Sequence, residues 1–158
     1  MKSKNIIFLI IIILIGFSAW HVLSGKLAGS TSSQLIITCD ENTTKIHIQP
    51  NTILEYQWIH SVEKTPIIEV YNVTPNGLIL IQAKSQSFGA GHPYSAEEFN
   101  GTFHTENGYL VYEIHYNIGK EIEILGNPEF NGTIVLKQDG KATTICKQFT
   151  HGVIKVEP

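Results

Sequence analysis

Basic residues are scarce in this chain: Lys and Arg together number 11 against 14 Asp and Glu, and the net charge is −3. No basic run occurs beyond the N-terminus, which argues against nucleic acid and against a polybasic membrane patch as partners. Motifs that carry chemistry are also missing. The 7 His residues fall in no H-x-H, H-E-x-x-H or paired Cys/His spacing, so a zinc-type site has no support from pattern. No G-x-S-x-G elbow is present, which removes the usual sign of hydrolase chemistry. Nor does any loop combine Gly, Lys and Ser/Thr in the phosphate-binding order. Beyond the first 24 residues no segment shows a helical period, and there is no internal repeat and no low-complexity tract.

What is present begins with "MKSKNIIFLIIIILIGFSAWHVLSG", in which Lys2 and Lys4 precede an apolar run. The run Ile6–Leu23 reaches ~27 Å at ~1.5 Å per residue, barely enough to cross a bilayer core. A removed secretory signal has the same basic-then-apolar layout. The run ends in bulky Trp20 and His21, however, and "LSG" at Leu23–Gly25 is a poor cleavage site. No Cys stands directly after the run, which excludes a lipoprotein anchor. The expectation is therefore an N-terminal transmembrane anchor over 1–24, a flexible polar linker over 25–33 and an exported domain over 34–158. The lysine balance, Lys2 and Lys4 against Lys26, favours an inside N-terminus. The domain would then sit on the extracytoplasmic side of a cell membrane crossed once.

There are 2 cysteines, Cys39 and Cys146. In an oxidising compartment they are a disulfide candidate, the alternative being two buried thiols. N-x-S/T sequons stand at Asn42, Asn72, Asn100 and Asn131. They are glycosylation candidates if the host modifies surface proteins.

From residue 34 onward apolar and polar residues alternate with period two, in runs rich in β-branched and aromatic side chains. Gly, Asn, Asp and Pro fill the gaps. "ENGY" and "QDGK" place Asn107-Gly108 and Asp139-Gly140 at tight two-residue hairpins, and "TPNG" gives Gly77 a bulge position. The pattern predicts an all-β domain of about nine to eleven antiparallel strands, either a β-sandwich or a partly open β-barrel.

"IHSVEKTPIIEVY" (Ile59–Tyr71) reads as two strands around a turn at Lys64-Thr65. That turn would place Val62 opposite Ile67, His60 opposite Glu69, Trp58 opposite Tyr71 and Tyr56 opposite Val73, all on one face. His60 and Glu69 would then meet among aromatics, where a carboxylate resists carrying an unpartnered charge. Two roles fit: a satisfied polar pair that fixes hairpin register, or an acid/base or ligand-binding pair at the mouth of the fold. Glu63 and Lys64 lie at the turn itself.

"SQSFGAGHPY" (Ser85–Tyr94) is the second unusual stretch. Gly89 and Gly91 permit left-handed backbone or a close approach, and Pro93 restricts His92 before it. As a metal site, His60, Glu69 and His92 are candidates only if this loop folds over the hairpin.

Together the two stretches resemble a family of small exported proteins of unknown function whose genes typically neighbour TAXI-type TRAP transporters. His60, Ser61, Glu63, Lys64, Pro66 and Glu69 match its HS-[VI]-E-K-x-P-x-x-E block. Phe88, Gly89, Ala90, Gly91 and Pro93 match FGAG-x-P. The resemblance implies an accessory role beside the multi-span component of a TRAP-type solute importer, with no established reaction. It also makes the hairpin and the Gly-rich loop one shared feature, with His60, Glu63, Glu69, Phe88, Gly89, Gly91 and Pro93 as docking or binding candidates, to which the apolar strand face adds Trp58 and Tyr71.

Three functions follow, in this order: a membrane-anchored, non-enzymatic accessory of the transporter; a small-molecule or ion binder using His60 and Glu69 beside Trp58 and Tyr71; and an enzyme with that pair as acid and base. No cofactor is expected.

Overall fold

Alternation along the sequence becomes strand after strand in the computed structural model, which describes residues 33–87 and 101–158. The strands are β1 Gln34–Cys39, β2 Asn42–His47, β3 Thr52–Ile59, β4 Pro66–Thr74, β5 Gly77–Ser85, β6 Thr102–Glu106, β7 Tyr109–Gly119, β8 Glu121–Leu125, β9 Thr133–Gln138, β10 Lys141–Lys147 and β11 His151–Glu157. A short 3-10 helix covers Pro128–Phe130. The expected anchor and all but the last residue of the expected linker lie outside the described residues. So do Phe88, Gly89, Gly91, His92, Pro93 and the sequon at Asn100. Among the described residues no helix is long and apolar enough to cross a membrane.

Strands β2-β1-β11-β8 form one antiparallel sheet, and β10-β9-β3-β4-β5-β7-β6 form a second. Their inner faces share one apolar core. Leu35, Ile37, Ile154 and Val156 of the smaller sheet pack with Leu54, Tyr71, Leu78 and Ile134 of the larger. Each such side chain, fully buried, contributes about 1.5–3 kcal/mol.

Turn chemistry sets the hairpins. Asn107 and Gly108 have φ of 51° and 81°, and Asp139 and Gly140 have 52° and 71°. Both central residues are left-handed in each pair, the geometry that matches strand twist. The first of these turns sets His104 opposite Val111. Gly77 is required for a different reason: a Cβ there would lie 2.3 Å from the Gly119 carbonyl oxygen.

Cys39 of the smaller sheet is joined to Cys146 of the larger, with a Cα–Cα distance of 6.3 Å. An irregularity in β10 makes this possible. Thr144 pairs with Val135 and Cys146 with Ile134, so Ile145 is an extra residue. One inserted residue flips the side chains after it. Without it, Ile145 would take the inward position and Cys146 would face out.

The β3–β4 hairpin differs from the sequence-based register. Tyr56, not His60, lies opposite Glu69; Leu54 faces Tyr71, Trp58 faces Ile67, and the last pair is Ile59 with Pro66. The connection is six residues, 60–65, instead of a two-residue turn at Lys64-Thr65. It is a coiled turn, in which Lys64 N–H donates to the His60 carbonyl at 3.0 Å and His60 N–H to that of Thr65 at 2.8 Å. Lys64 takes φ of 55°. Pro66 lacks an N–H and so starts the strand without extending the ladder toward the turn. The slip moves each partner by an even number of residues, so the inward and outward faces stay as the alternation predicts.

Candidate functional site

The inner face of the larger sheet carries an uneven row. Reading across paired positions, Cys146, Ile134, Tyr56, Glu69, Ala83 and Tyr112 share one line. Ala83, not Gln82, reaches that line because β5 has an irregularity at Ile81, between pairs Tyr71–Leu80 and Val70–Gln82. A carboxylate thus stands among aromatic and aliphatic side chains. Its neighbour Tyr71, buried on the same strand, donates its hydroxyl proton to Glu69 Oε2 at 2.5 Å.

Burial pushes the Glu69 carboxyl above the usual carboxylate range, and the Tyr71 hydrogen bond opposes that rise. The Tyr71 and Tyr56 hydroxyls are both raised, first by burial and then by the Glu69 charge. Both phenols therefore keep their protons at neutral pH, and Tyr71 acts as a donor. Desolvation of the charged form is the dominant cause throughout.

Above this carboxylate, between the two sheets, lies a cavity of about 550 Å³. Tyr56, Trp58, His60, Ser61 and Glu69 line one side; Ile122, Glu123, Ile124, Leu125, Asn127, Phe130 and Gly132 line the other. Tyr56 and Trp58 stack with ring centroids 4.5 Å apart. Beneath them Phe149, 1 % exposed, tilts against Tyr56 at 6.0 Å. Lys64 closes over the far wall, its ammonium 5.4 Å from the centre of the Phe130 ring.

His60 and Glu69 therefore line one cavity without being cross-strand partners. His60 Nδ1 accepts the Glu63 backbone N–H at 3.1 Å, which puts the imidazole proton on Nε2 and gives the side chain a part in shaping the turn. Glu63 contributes its backbone there, and its side chain is exposed. Trp58 lines the cavity, whereas Tyr71 lies beneath it. Among the described residues no group of His, Cys, Asp and Glu is disposed to hold a metal ion.

Sequence reasoning missed the opposite wall, from β8 to Gly132. A signal existed in "GNPEF": Asn127 caps the 3-10 helix by accepting the Glu129 N–H at 2.9 Å, with Pro128 in the first turn. An Asn-Pro start of that kind marks a helical turn and would have located Phe130. Of the remaining sequons, Asn42 is exposed on β2 and Asn72 half-buried on β4. Asn131 is exposed but accepts from Gln148 at 3.1 Å.

A protein-family profile described as a domain of unknown function, DUF1850, matches residues 54–142, more than half of the chain. The chain belongs to the DUF1850 family. No curated protein and no solved structure matches it. The DUF1850 match spans the cavity wall from Tyr56 to Gly132. Strands β1, β2 and β11 lie outside it, as do both cysteines.

Proposed function

We propose that this chain is a non-enzymatic ligand-binding module, held on the extracytoplasmic face of a cell membrane by its N-terminal segment. The observation that carries the binding reading is the cavity of about 550 Å³ with one desolvated carboxylate against aromatic walls. Small-molecule sites have this build: mostly apolar, of ~300–1,000 Å³, with a few placed polar groups. The disulfide between Cys39 and Cys146 supports an oxidising compartment, and the basic-then-apolar start supports the membrane anchor. Acid/base catalysis has less behind it, because His60 Nδ1 is committed to the Glu63 N–H and Glu69 faces Tyr56 across the strands.

Titration calorimetry of the full-length protein in mild detergent, over a solute panel at pH 5 to 8, tests the binding reading. A Ser61→Trp variant, altered at an exposed position of the rim, serves as the blocked control. No heat from any solute across that range would sink the reading.

An accessory role beside a TRAP-type transporter is the second reading. It is favoured by the motif resemblance and by two exposed apolar side chains, Leu125 of the cavity lining at 81 % and Val62 of the 60–65 turn at 69 %. Affinity purification from native membranes, with wild type beside a folded His60→Ala/Glu69→Ala variant, tests it. Recovery of a multi-span transporter component with wild type supports the role; recovery with neither protein removes it.

A further inference from the structure

The choice of ligand class follows from the charges and surfaces that meet in the cavity, and it rests on the binding reading above. Two acidic residues, Glu69 and Glu123, line the cavity, and the Lys64 ammonium lies over the ring of Phe130 on its far wall without pairing with either of them. Glu123 already has a partner in His151, at 2.6 Å. Glu69 has only the neutral Tyr71 hydroxyl, and none of the ion pairs among the described residues involves it. A carboxylate withdrawn from water needs either a proton or a counter-charge. The rings of Tyr56, Trp58 and Phe130 line the same cavity, the first two stacked on one another. Electron-rich ring faces attract cations, most strongly where water is excluded. The chain's own Lys64 ammonium lies over Phe130 in this manner.

We propose that the cavity takes an organic ammonium ion, its cationic head against Glu69 and its carbon substituents against the rings of Tyr56, Trp58 and Phe130. An anionic ligand would meet the Glu69 carboxylate, while the exposed Glu123 is engaged by His151 and Lys64 lies over Phe130 without an ion pair to Glu69. A neutral apolar ligand would leave the Glu69 carboxylate further desolvated and still without a counter-charge. A bare metal ion would find one free carboxylate where several ligands are needed. An alkylated ammonium supplies what the walls lack: a diffuse positive charge that needs few hydrogen bonds and tolerates apolar contact.

The test titrates choline, benzyltrimethylammonium and the uncharged carbon isostere of choline into the full-length protein, followed by calorimetry and saturation-transfer NMR. Glu69→Gln keeps an acceptor for Tyr71 and removes the charge. Trp58→Leu removes one ring and leaves the charge. The expected result is saturable binding of the two cations, with the isostere about tenfold weaker or worse, one such factor being 1.4 kcal/mol. Each variant should weaken the cations by a comparable factor while its thermal unfolding stays cooperative. Equal binding of isostere and cation, or a Glu69→Gln variant that binds choline as wild type does, overturns the ammonium assignment and leaves the cavity as a site for another ligand. If the cations, the isostere and the wider solute panel all fail to bind wild type, this assignment and the binding reading fall together.

Discussion

Glu69 accepts its hydrogen bond from Tyr71, two residues along the same strand and on the same face, at 2.5 Å. A side chain that sequence alternation assigns to the core is thus ionisable, and its one described hydrogen-bond donor is neutral. Burial makes ionisation of this group unfavourable, which is a cost to the free protein and an opportunity for a ligand.

That cost is measurable as a pH effect. Folding raises the Glu69 carboxyl above its ordinary 4.5. Its contribution to stability is therefore fully present below that value and lost as pH rises through the folded one. At neutral pH Glu69 therefore destabilises the unliganded domain. Glu69→Gln should raise the melting temperature at pH 7 by a few degrees, a size expected from recovering on the order of 1 kcal/mol. The difference from wild type should close as pH approaches the ordinary carboxylate range. His60, Glu123, Tyr56 and Tyr71 face the same cavity or carboxylate and are unchanged in the comparison. Melting curves of both proteins from pH 4 to 8 give the answer, and a variant less stable than wild type at pH 7 contradicts it.

Much of the fold was legible because strand parity is robust. Period-two alternation identified the strands and the inward faces of Tyr56, Trp58, Glu69 and Tyr71, and the Asn-Gly and Asp-Gly turns gave their hairpins. Register was less legible. The choice between a two-residue turn and the coiled turn 60–65 depends on Lys64 accepting a left-handed backbone and on His60 bonding Glu63. Neither is a matter of hydrophobic pattern. Single-residue irregularities at Ile81 and Ile145 were also invisible, since an inserted residue looks like ordinary alternation until its partner strand is known. The far wall of the cavity comes from a distant part of the chain, and only its Asn127-Pro128 start left a local trace.

The disulfide should matter because it joins the two sheets across a sequence separation of 107 residues. Removing a native bridge in a small exported domain typically costs about 2–5 kcal/mol. The Cys39→Ser/Cys146→Ser variant should show a lower guanidinium midpoint than wild type and a slope no smaller, because its unfolded chain is less constrained, and wild type with reductant should match it. A midpoint insensitive to reductant would mean that the shared core alone holds the sheets together.

Turn shape offers an independent check on the His60 assignment. If Nδ1 serves as acceptor for the Glu63 N–H, His60→Ala leaves that donor without its partner. A lost cap of this kind costs about 0.5–2 kcal/mol. Asn can supply a carbonyl oxygen at a similar reach, so His60→Asn should recover most of the loss. Amide exchange at Glu63, slow in wild type and in His60→Asn but fast in His60→Ala, would locate the effect. Equal stability of all three proteins would assign His60 no part in the turn.

Phe149 sets the last prediction, because three glycines meet this ring or its backbone at very different distances. A Cβ on Gly126 would lie 2.3 Å from the Phe149 carbonyl oxygen, and one on Gly152 would lie 2.9 Å from the ring. On Gly132 the nearest atom would be 3.5 Å away, an ordinary contact. Backbone cannot move aside as a flexible side chain can, so Gly126→Ala should destabilise by more than about 2 kcal/mol through overpacking. Gly152→Ala must displace a fully buried ring whose other face rests near Tyr56, and should fall in the range of about 1–3 kcal/mol. Gly132→Ala should be close to neutral and slightly narrow the cavity it lines. Denaturant titration of the three variants orders them. If Gly132→Ala were as damaging as Gly126→Ala, the ring would have to lie nearer β9 than the structure places it. The aromatic floor beneath Tyr56 and Trp58 would then have to be redrawn as well.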